Sequence, residues 1–368
     1  MIIKRFSARN FRNIEECNIN FSPGVNLLYG KNAQGKTNVI EGIYLFSRGK
    51  SFRCESERDL IKYEKEGFYL SVEYEDKTRE NSLEYSLYGK ERKRKKNGYK
   101  INKLYEMIGS FKSVLFYPDD LGLVKNGPEE RRNFINVAIS QCFPSYIKTY
   151  SDYKVALENR NSLLKFIQKG MYVDKKEISA WSESMAEYAS HIYLFRQDYI
   201  RKINDFAKKI LLEISDKKED LSLFYKSNIE EYSSEREKIK EEYIKVFSSD
   251  IEREIAVGSS LFGPHRDDVE IYINGKKAKN FASQGQQRSI VLALKLAEGE
   301  VIREICGEYP VFLFDDVLSE LDEERRRYVL SGIGEKQIII TACDPDECRM
   351  YTETEIDVSE GKYVLTHR

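Results

Sequence analysis

The chain has 368 residues, of which 41% are hydrophobic, and this is enough for two or three domains with buried cores. Its 60 Lys and Arg residues nearly balance 61 Asp and Glu residues, so the net charge of −1 does not by itself indicate nucleic-acid binding. No run of 18 apolar residues is present and the start "MIIKRFSARN" lacks the apolar stretch of a secretory signal, which favours a cytoplasmic protein without a membrane partner.

The first part of the chain shows the patterns of a mixed α/β domain. Residues 1–14 and 16–30 predict strands around a loop, and "VNLLYG" is a short apolar strand that ends in glycine. A helix should begin near Lys36 and end at Gly49. The tyrosine-rich, alternating segments 68–75, 81–89 and 98–105 predict antiparallel strands.

A helical region interrupts this pattern. Residues 128–254 contain few Gly or Pro residues, and apolar residues recur there every three or four positions, which predicts long amphipathic helices. The α/β pattern then returns. Strands are predicted at 267–275, 309–316 and 336–343, with helices at 287–306 and 323–333. We therefore expect an α/β core built from residues 1–124 and 255–368, with an inserted all-helical domain at 125–254.

The chain has six scattered cysteines and three histidines, which limits the metal and redox chemistry that can be expected. None of the cysteines forms a C-x-x-C pair, so reduced thiols are expected and a zinc site is not.

The segment "GKNAQGKT", residues 30–37, matches the phosphate-binding pattern G-x-x-x-x-G-K-[ST] between a predicted strand and a predicted helix. Backbone N–H groups of such a loop and the helix N-terminus bind phosphate oxygens. Lys36 should neutralise the β and γ phosphates of ATP, and the hydroxyl of Thr37 should bind Mg²⁺. The predicted nucleotide-binding residues of the loop are Gly30, Lys31, Asn32, Ala33, Gln34, Gly35, Lys36, Thr37 and Asn38. The alternative is a chance match on a surface turn.

A second motif, "VFLFDD", is an apolar strand that ends in Asp315 and Asp316. Ligands bind at the carboxyl ends of buried parallel strands, so Asp315 should hold Mg²⁺ directly or through water. Asp316 should orient or deprotonate the attacking water and is, with Lys36, a predicted catalytic residue. The alternative role for Asp316 is a helix N-cap.

Between these motifs lies "SQGQQ", which begins at Ser283 and opens a predicted helix. It resembles the Ser-Gly-Gly-Gln-like signature of the ATP-binding-cassette superfamily, with Gln284 in place of the first glycine. The resemblance implies that this turn contacts ATP held by a second subunit, through Ser283, Gln284, Gly285 and Gln286. An ordinary helix cap by Ser283 is the alternative.

Other segments carry the same resemblance. "SELD", formed by Ser319, Glu320, Leu321 and Asp322, occupies the place of the D-loop at the dimer seam. "IIITAC" resembles the switch strand, but Thr341 or Ala342 stands where many relatives have a histidine. "YPDD", residues 117–120, occupies the place of the Q-loop without a glutamine, and a plain turn at Pro118 is equally expected.

Within the superfamily the chain is similar to the RecF family of DNA-repair ATPases. The similar segments are "FRNIEECNINFSPGVNLLYGKNAQGKTNVIEGIY", "GKSFR", "FGPHRDD" and "FDDVLSELDEERR". The resemblance implies an ATP-dependent homodimer that binds duplex and gapped or single-stranded DNA, with ATP and Mg²⁺ as cofactors and RecR and RecO as partners. It also implies that Arg53 reaches the phosphates, although a solvated arginine is an equal alternative.

One basic segment could contribute to DNA binding. Residues 91–103, "ERKRKKNGYKINK", carry seven Lys or Arg residues against one Glu, and they predict either a solvated hairpin or a phosphate contact.

Three other classes were weighed. A transporter ATPase subunit would have its signature closer to the phosphate loop, and a chromosome-maintenance head would carry far longer heptad repeats. A small-molecule kinase or NTPase would leave "SQGQQ" and "SELD" unexplained. The head-domain ATPase of another SMC-like or ATP-binding-cassette family is the closest alternative.

Overall fold

A computed structural model of the chain describes residues 1–229, 234–331 and 334–367. The described residues divide into two compact units. The first unit contains residues 1–121, 206–219 and 283–368, and the second contains residues 122–205 and 220–282. Both ends of the chain thus contribute to the first unit.

The strands in chain order are β1 (Ile2–Phe11), β2 (Ile14–Asn20), β3 (Val25–Tyr29), β4 (Gly67–Glu75), β5 (Glu80–Tyr88), β6 (Glu91–Lys96), β7 (Tyr99–Ile101), β8 (Ser113–Phe116), β9 (Leu221–Lys226), β10 (Asp268–Ile273), β11 (Lys276–Lys277), β12 (Val311–Asp315), β13 (Ile338–Ala342), β14 (Thr354–Ser359) and β15 (Lys362–His367). The helices are α1 (Lys36–Arg48), α2 (Gly122–Lys125), α3 (Pro128–Cys142), α4 (Pro144–Gln168), α5 (Lys175–Ile214), α6 (Arg236–Ser249), α7 (Ile251–Val257), α8 (Ala278–Phe281), α9 (Gln284–Cys306) and α10 (Glu323–Ser331). The last two residues of the helix predicted at 323–333 lie outside the described part of the chain.

The first unit contains two sheets. One is antiparallel, with the order β2-β1-β4-β5-β6-β7, and its central strands alternate buried and partly exposed residues as the sequence pattern predicted. The other has the order β15-β14-β3-β13-β12-β8 and is parallel except at β15. Its strands β8, β12 and β13 are buried throughout, which explains their continuous apolar sequences.

The parallel sheet determines where the polar motifs lie. The phosphate loop follows β3, the paired carboxylates end β12, and Cys343 follows β13. Because these strands are parallel neighbours, their carboxyl ends meet at one edge of the sheet.

Helix α1 packs in the apolar core of the first unit. Val39, Ile40 and Ile43 of α1 are fully buried in one cluster with residues of both sheets. The antiparallel sheet contributes Phe6, Phe68 and Leu70, among others, and the parallel sheet contributes Leu28, Leu313 and Ile339. The predicted α/β class is therefore confirmed, and the core fixes the helix that begins at the phosphate loop.

The second unit is mainly helical but not entirely so. The sequence predicted helices throughout 128–254, whereas Leu221–Lys226 forms β9 and pairs antiparallel with β10. The segment "LSLFYK" alternates buried Leu221 and Leu223 with more exposed residues, and its aromatic residues favour a strand. A three-stranded sheet, β11-β10-β9, results.

This sheet explains why the observed division differs from the predicted boundary at residue 254. Strand β10 pairs with β9, so residues 255–282 belong to the second unit and not to the ATPase core. Residues 206–219, which were predicted in the helical domain, belong to the first unit. This division falls within helix α5, which runs without a break from Lys175 to Ile214.

The basic segment at 91–103 contains strands β6 and β7 and the turn between them. Several of its charges are paired with carboxylates of the same segment or of neighbouring segments. Arg92 contacts Glu57, Lys95 lies 3.2 Å from Glu84, and Lys93 lies 3.3 Å from Glu91. The geometry is that of a solvated hairpin, and a contact with DNA stays a prediction.

The segment predicted as the Q-loop packs on α9. The Asp120 carboxylate accepts a hydrogen bond from the Tyr117 amide and lies 2.8 Å from the Lys295 ammonium, with both charged groups buried. Glu298 lies one turn further along α9 and is also buried, which raises its pKa to about 7 although the Lys295 charge opposes this. The helix that begins with "SQGQQ" therefore carries an ionisable cluster in its buried part.

Glu298→Gln is expected to reduce the pH dependence of stability. Because folding raises the pKa of Glu298 from 4.5 to about 7, its favourable contribution is complete below pH 4.5 and is lost as the pH rises through 7. Glutamine does not ionise, so the loss of unfolding free energy between about pH 5 and about pH 8 should be smaller by about 3 kcal/mol in the variant. Chemical denaturation at both pH values measures this. Glu304→Gln, on an exposed position of the same helix, is the control, and equal pH dependence in Glu298→Gln and the unaltered chain would contradict the prediction.

None of the described helices is long and apolar enough to cross a membrane.

Candidate nucleotide-binding site

The phosphate loop connects β3 to α1, and its glycines are required by its backbone. Gly30 has a φ of +148°, and a Cβ at this position would lie 2.2 Å from the carbonyl oxygen of Val358. Gly35 has a φ of +115° and directly precedes the first turn of α1. These left-handed conformations turn the loop tightly around the helix N-terminus, as the motif predicted.

Lys36 is buried, and its ammonium group lies inside the loop. The Nζ atom donates hydrogen bonds to the carbonyl oxygens of Gly30 at 2.6 Å and Lys31 at 3.1 Å. These two hydrogen bonds hold the positive charge inside the loop, at the start of α1. The side chains of Lys31, Asn32 and Ala33 are exposed.

The paired carboxylates lie next to this loop, as predicted. The Thr37 hydroxyl donates a 2.9 Å hydrogen bond to Oδ1 of Asp315, and the Thr341 hydroxyl donates a 2.8 Å bond to the same oxygen. Burial raises the pKa of Asp315, and the two hydroxyl donors oppose this rise. The loop and the acidic strand are therefore joined through a single carboxylate.

Asp316 differs from its neighbour in exposure and backbone conformation. Its side chain is exposed, its φ is +54°, and its amide donates a 2.9 Å hydrogen bond to the Thr341 hydroxyl. The amide is bound by Thr341 and no helix begins at this residue, so the N-cap alternative does not apply.

The loop and Asp316 line one cleft of about 300 Å³. The residues around it are Asn13, Asn32, Ala33, Gln34, Gly35, Lys36, Thr37, Asn38, Arg53 and Asp316. Arg53 thus lies at the cleft, where its guanidinium donates a 2.9 Å hydrogen bond to Asn38. Gly30, Lys31 and Asp315 are not among the lining residues.

Two contributors to the cleft were not predicted from the sequence. Asn13, in the turn between β1 and β2, accepts a hydrogen bond from Asn38 at 2.6 Å and donates one to the carbonyl of Ala33 at 3.2 Å. Glu41 of α1 is fully buried and binds the Arg12 guanidinium through both carboxylate oxygens, at 2.6 and 2.9 Å. Glu41 also lies 3.6 Å from Arg53, so it helps to hold that arginine at the cleft.

The strand that resembles the switch strand ends next to the phosphate loop. Thr341 is buried, and its hydroxyl donates to the Asp315 carboxylate and accepts from the Asp316 amide; Ala342 is buried as well. The residue that contacts the phosphate loop is Cys343, whose thiol donates to the side-chain oxygen of Asn32 at 2.9 Å and lies 3.9 Å from the Lys36 ammonium. A thiol therefore occupies the position beside Lys36 at the end of this strand.

The signature segment lies at the start of α9 and does not line the cleft. Ser283, Gln284 and Gly285 are exposed, and a Cβ on Gly285 would meet open space. Ser283 caps the helix, since its hydroxyl accepts from the Gln286 amide and its own amide donates to the Gln286 side chain. Ser283 therefore does form an ordinary helix cap in the single chain. The polar residues of this helix end nevertheless remain exposed at the surface.

The predicted D-loop follows β12 and is connected to the signature helix. Leu318–Glu320 forms a short 3₁₀ turn in which Ser319 and Glu320 are exposed, while Leu321 is buried and Asp322 is exposed. Glu320 lies 3.2 Å from Arg288 of α9, and Arg325 donates a 2.9 Å hydrogen bond to Ser289 of the same helix. These contacts connect the predicted D-loop and the helix after it to the helix that the signature opens.

The oxygen atoms near the phosphate loop suit Mg²⁺. Thr37 offers a hydroxyl and Asp315 a carboxylate, and Mg²⁺ is bound in proteins by one or two such oxygens together with substrate phosphates and water. The described residues contain no group of three or more His, Cys, Asp or Glu residues that could hold a metal by themselves. The donor set thus fits a metal that arrives with a nucleotide.

Comparisons with known proteins show which family the whole chain resembles. Residues 2–360 match the family model of the RecF/RecN/SMC N terminal domain. The chain is 35% identical over 364 residues to the DNA replication and repair protein RecF of Clostridioides difficile, covering 97% of this chain and 96% of that protein. A solved structure of the recombination mediator protein RecF-ATPrS in the RecFOR pathway is 34% identical, with a TM-score of 0.92 over 99% of this chain and 97% of that one. The Smc head domain of Pyrococcus furiosus shares the fold at 18% identity, with a TM-score of 0.57 over 99% of this chain and 96% of that one.

Proposed function

The chain belongs to the RecF/RecN/SMC N-terminal domain family and, within it, to the RecF proteins, and from this we propose that it is an ATP-dependent DNA-binding protein of DNA replication and recombinational repair. ATP binding closes two copies of the chain head to tail on DNA, and slow hydrolysis, stimulated by DNA, releases them. The closed dimer supports recombinase loading at single-strand gaps, with RecR and RecO as partners.

One observation carries the proposal. The cleft contains a phosphate loop and an acidic residue but no signature residue, whereas the signature lies exposed at the start of another helix. An exposed helix N-terminus binds anions. A second copy that places its Ser283 and Gly285 over the γ-phosphate would complete the site, and a two-fold dimer does this at both sites at once.

Within one subunit, each residue has a defined role. Lys36 neutralises charge on the β and γ phosphates, and the backbone amides of residues 31–37 bind phosphate oxygens. Thr37 and Asp315 would hold Mg²⁺, which neutralises charge on the phosphates when it is bound. Arg53, held by Asn38 and Glu41, adds a further positive group at the cleft.

Asp316 acts on the attacking water. Its carboxylate is exposed at the cleft, in contrast to the buried Asp315, and it is therefore free to accept a proton or to orient a water molecule. The two adjacent aspartates thus divide the tasks of holding the metal and activating water.

DNA binding is electrostatic and depends on ATP. Phosphate contacts release counterions, so the affinity should fall steeply with salt. With a net charge of −1, the chain needs a local basic surface for this, and the hairpin β6–β7 is one candidate.

Sedimentation velocity tests the proposal. The chain should sediment as a monomer without nucleotide and as a dimer with ATP and Mg²⁺, and ADP should not support the dimer. Duplex DNA and gapped DNA should each sediment with the dimer, and DNA should raise ATP turnover. A chain that stays monomeric with ATP, at concentrations where calorimetry shows that ATP is bound, would contradict the proposal.

A further inference from the structure

Thr341 has no role in the function proposed so far, although it lies at the centre of the acidic pair. It is on β13, directly opposite Asp315 in the parallel register of β12 and β13. Its side chain is 1% exposed, and its hydroxyl is the one polar group it offers.

That hydroxyl binds both aspartates. It donates a hydrogen bond to Oδ1 of Asp315 at 2.8 Å and accepts one from the amide of Asp316 at 2.9 Å. One oxygen atom therefore fixes the carboxylate of the first aspartate and the backbone of the second.

The contact with Asp316 supports an uncommon backbone conformation. A φ of +54° is unfavourable for residues other than glycine, although aspartate tolerates it better than most. The Thr341 hydroxyl holds the amide of Asp316 in this conformation, and in it the Asp316 side chain lies at the cleft while Asp315 remains buried.

The contact with Asp315 sets the direction of its carboxylate. Thr37 and Thr341 donate to the same oxygen from the phosphate loop and from β13, respectively. Two hydrogen bonds to Oδ1 favour one rotamer of the Asp315 side chain. Hydrogen bonds of this kind orient the ligands of a metal ion.

We propose that Thr341 is a positioning residue of the ATPase site, which orients Asp315 toward Thr37 and holds Asp316 at the cleft through one hydroxyl. This inference rests on the proposed ATPase function. Through Thr341, strand β13 would contribute to hydrolysis although no histidine follows the strand.

The test replaces the hydroxyl and keeps the shape. Thr341→Val is nearly isosteric, and it leaves the Asp316 amide and the Asp315 carboxylate without this partner. We expect kcat to fall about tenfold or more, with the KM for ATP changed by less than about threefold, because ATP is bound mainly by the phosphate loop. Thr341→Ser keeps the hydroxyl and should retain most of kcat.

A second readout does not depend on turnover. Calorimetric titration with a non-hydrolysable ATP analogue at several Mg²⁺ concentrations should show that Thr341→Val needs about tenfold more Mg²⁺ to reach the affinity of the unaltered chain. Without Mg²⁺ the two affinities should agree. If Thr341→Val does not fold, Thr341→Ala removes the same hydroxyl and takes its place.

Thr354→Val is the matched control. Thr354 is also buried in this sheet, and its hydroxyl forms a hydrogen bond with Ser22. It pairs with Asn26 near the start of β3, at the end of the sheet opposite the phosphate loop. Thr354→Val should therefore change stability without changing kcat or the Mg²⁺ requirement.

The outcomes separate the inference from the function on which it rests. If the unaltered chain binds and hydrolyses ATP and Thr341→Val matches it in kcat and Mg²⁺ requirement, the inference alone is overturned. It is also overturned if Thr341→Ser loses as much as Thr341→Val, or if Thr354→Val loses as much. If the unaltered chain does not bind ATP, the proposed function fails and the inference fails with it.

Discussion

Asp316→Asn is expected to stop ATP turnover while ATP stays bound, whereas Lys36→Ala is expected to lose the nucleotide itself. Asparagine keeps the shape of Asp316 but cannot accept a proton, and loss of a general base typically costs about 100-fold to 10,000-fold in rate. In the proposed site Lys36 would make charge-assisted contacts with two phosphates, each worth about 1.5–3 kcal/mol, so its removal should weaken ATP binding about 100-fold or more.

The two variants should also differ in assembly. If hydrolysis opens the dimer, Asp316→Asn should remain dimeric with ATP for longer than the unaltered chain, and Lys36→Ala should remain monomeric. Isothermal titration with ATP and sedimentation velocity measure the two properties separately. Lys65→Ala, at an exposed lysine before β4, controls for the loss of a positive charge. Normal turnover by Asp316→Asn, or normal ATP affinity of Lys36→Ala, would contradict the assigned role.

The phosphate loop and the acidic strand were predictable because each motif contains its own structural context. A strand, a glycine-rich turn and a helix specify the loop from residue 25 to residue 48 by local interactions alone. Likewise, the apolar run before Asp315 predicts a buried parallel strand, and the carboxyl ends of such strands meet at one edge.

The supporting residues could not be predicted in the same way. Asn13, Glu41 and Cys343 reach the site from three separate segments, and the contacts that place them depend on tertiary packing. Thr341 lies on a strand whose apolar pattern predicts burial, but its pairing with Asp315 follows from the register of two strands 26 residues apart.

The two compact units differ from the predicted boundary at residue 254 for a related reason. The segment "DDVEIYING" was predicted as a strand, and it is one, but a strand does not reveal its partner in the sequence. Its partner is β9, which lies among long helices and was therefore predicted as helix. Because β9 was not predicted as a strand, β10 was assigned to the ATPase core.

Mixing two inactive variants is expected to restore ATP turnover if each site combines Lys36 of one subunit with Ser283 of the other. Lys36→Ala removes the phosphate charge from its own cleft, and Ser283→Arg places a bulky side chain on the exposed signature. In a homodimer of either variant both sites are defective. In a mixed dimer both defects fall in one site, and the other site is complete because a two-fold interface exchanges the same surfaces.

The recovery can be estimated from random pairing. Random pairing would make half of the dimers mixed, with one complete site in each, so that about a quarter of all sites would be active. This value is a reference for the measured recovery, because Lys36→Ala is expected to form no dimer by itself. Ser145→Arg is the control, because it places the same side chain on the exposed first turn of α4, away from the signature. This variant should hydrolyse ATP by itself, so its activity should not depend on mixing with Lys36→Ala. Crosslinking must show that the mixed dimer forms, because closure could require ATP in both sites. A mixed dimer that forms, binds ATP and stays inactive would mean that Ser283 does not act on the ATP of a second subunit.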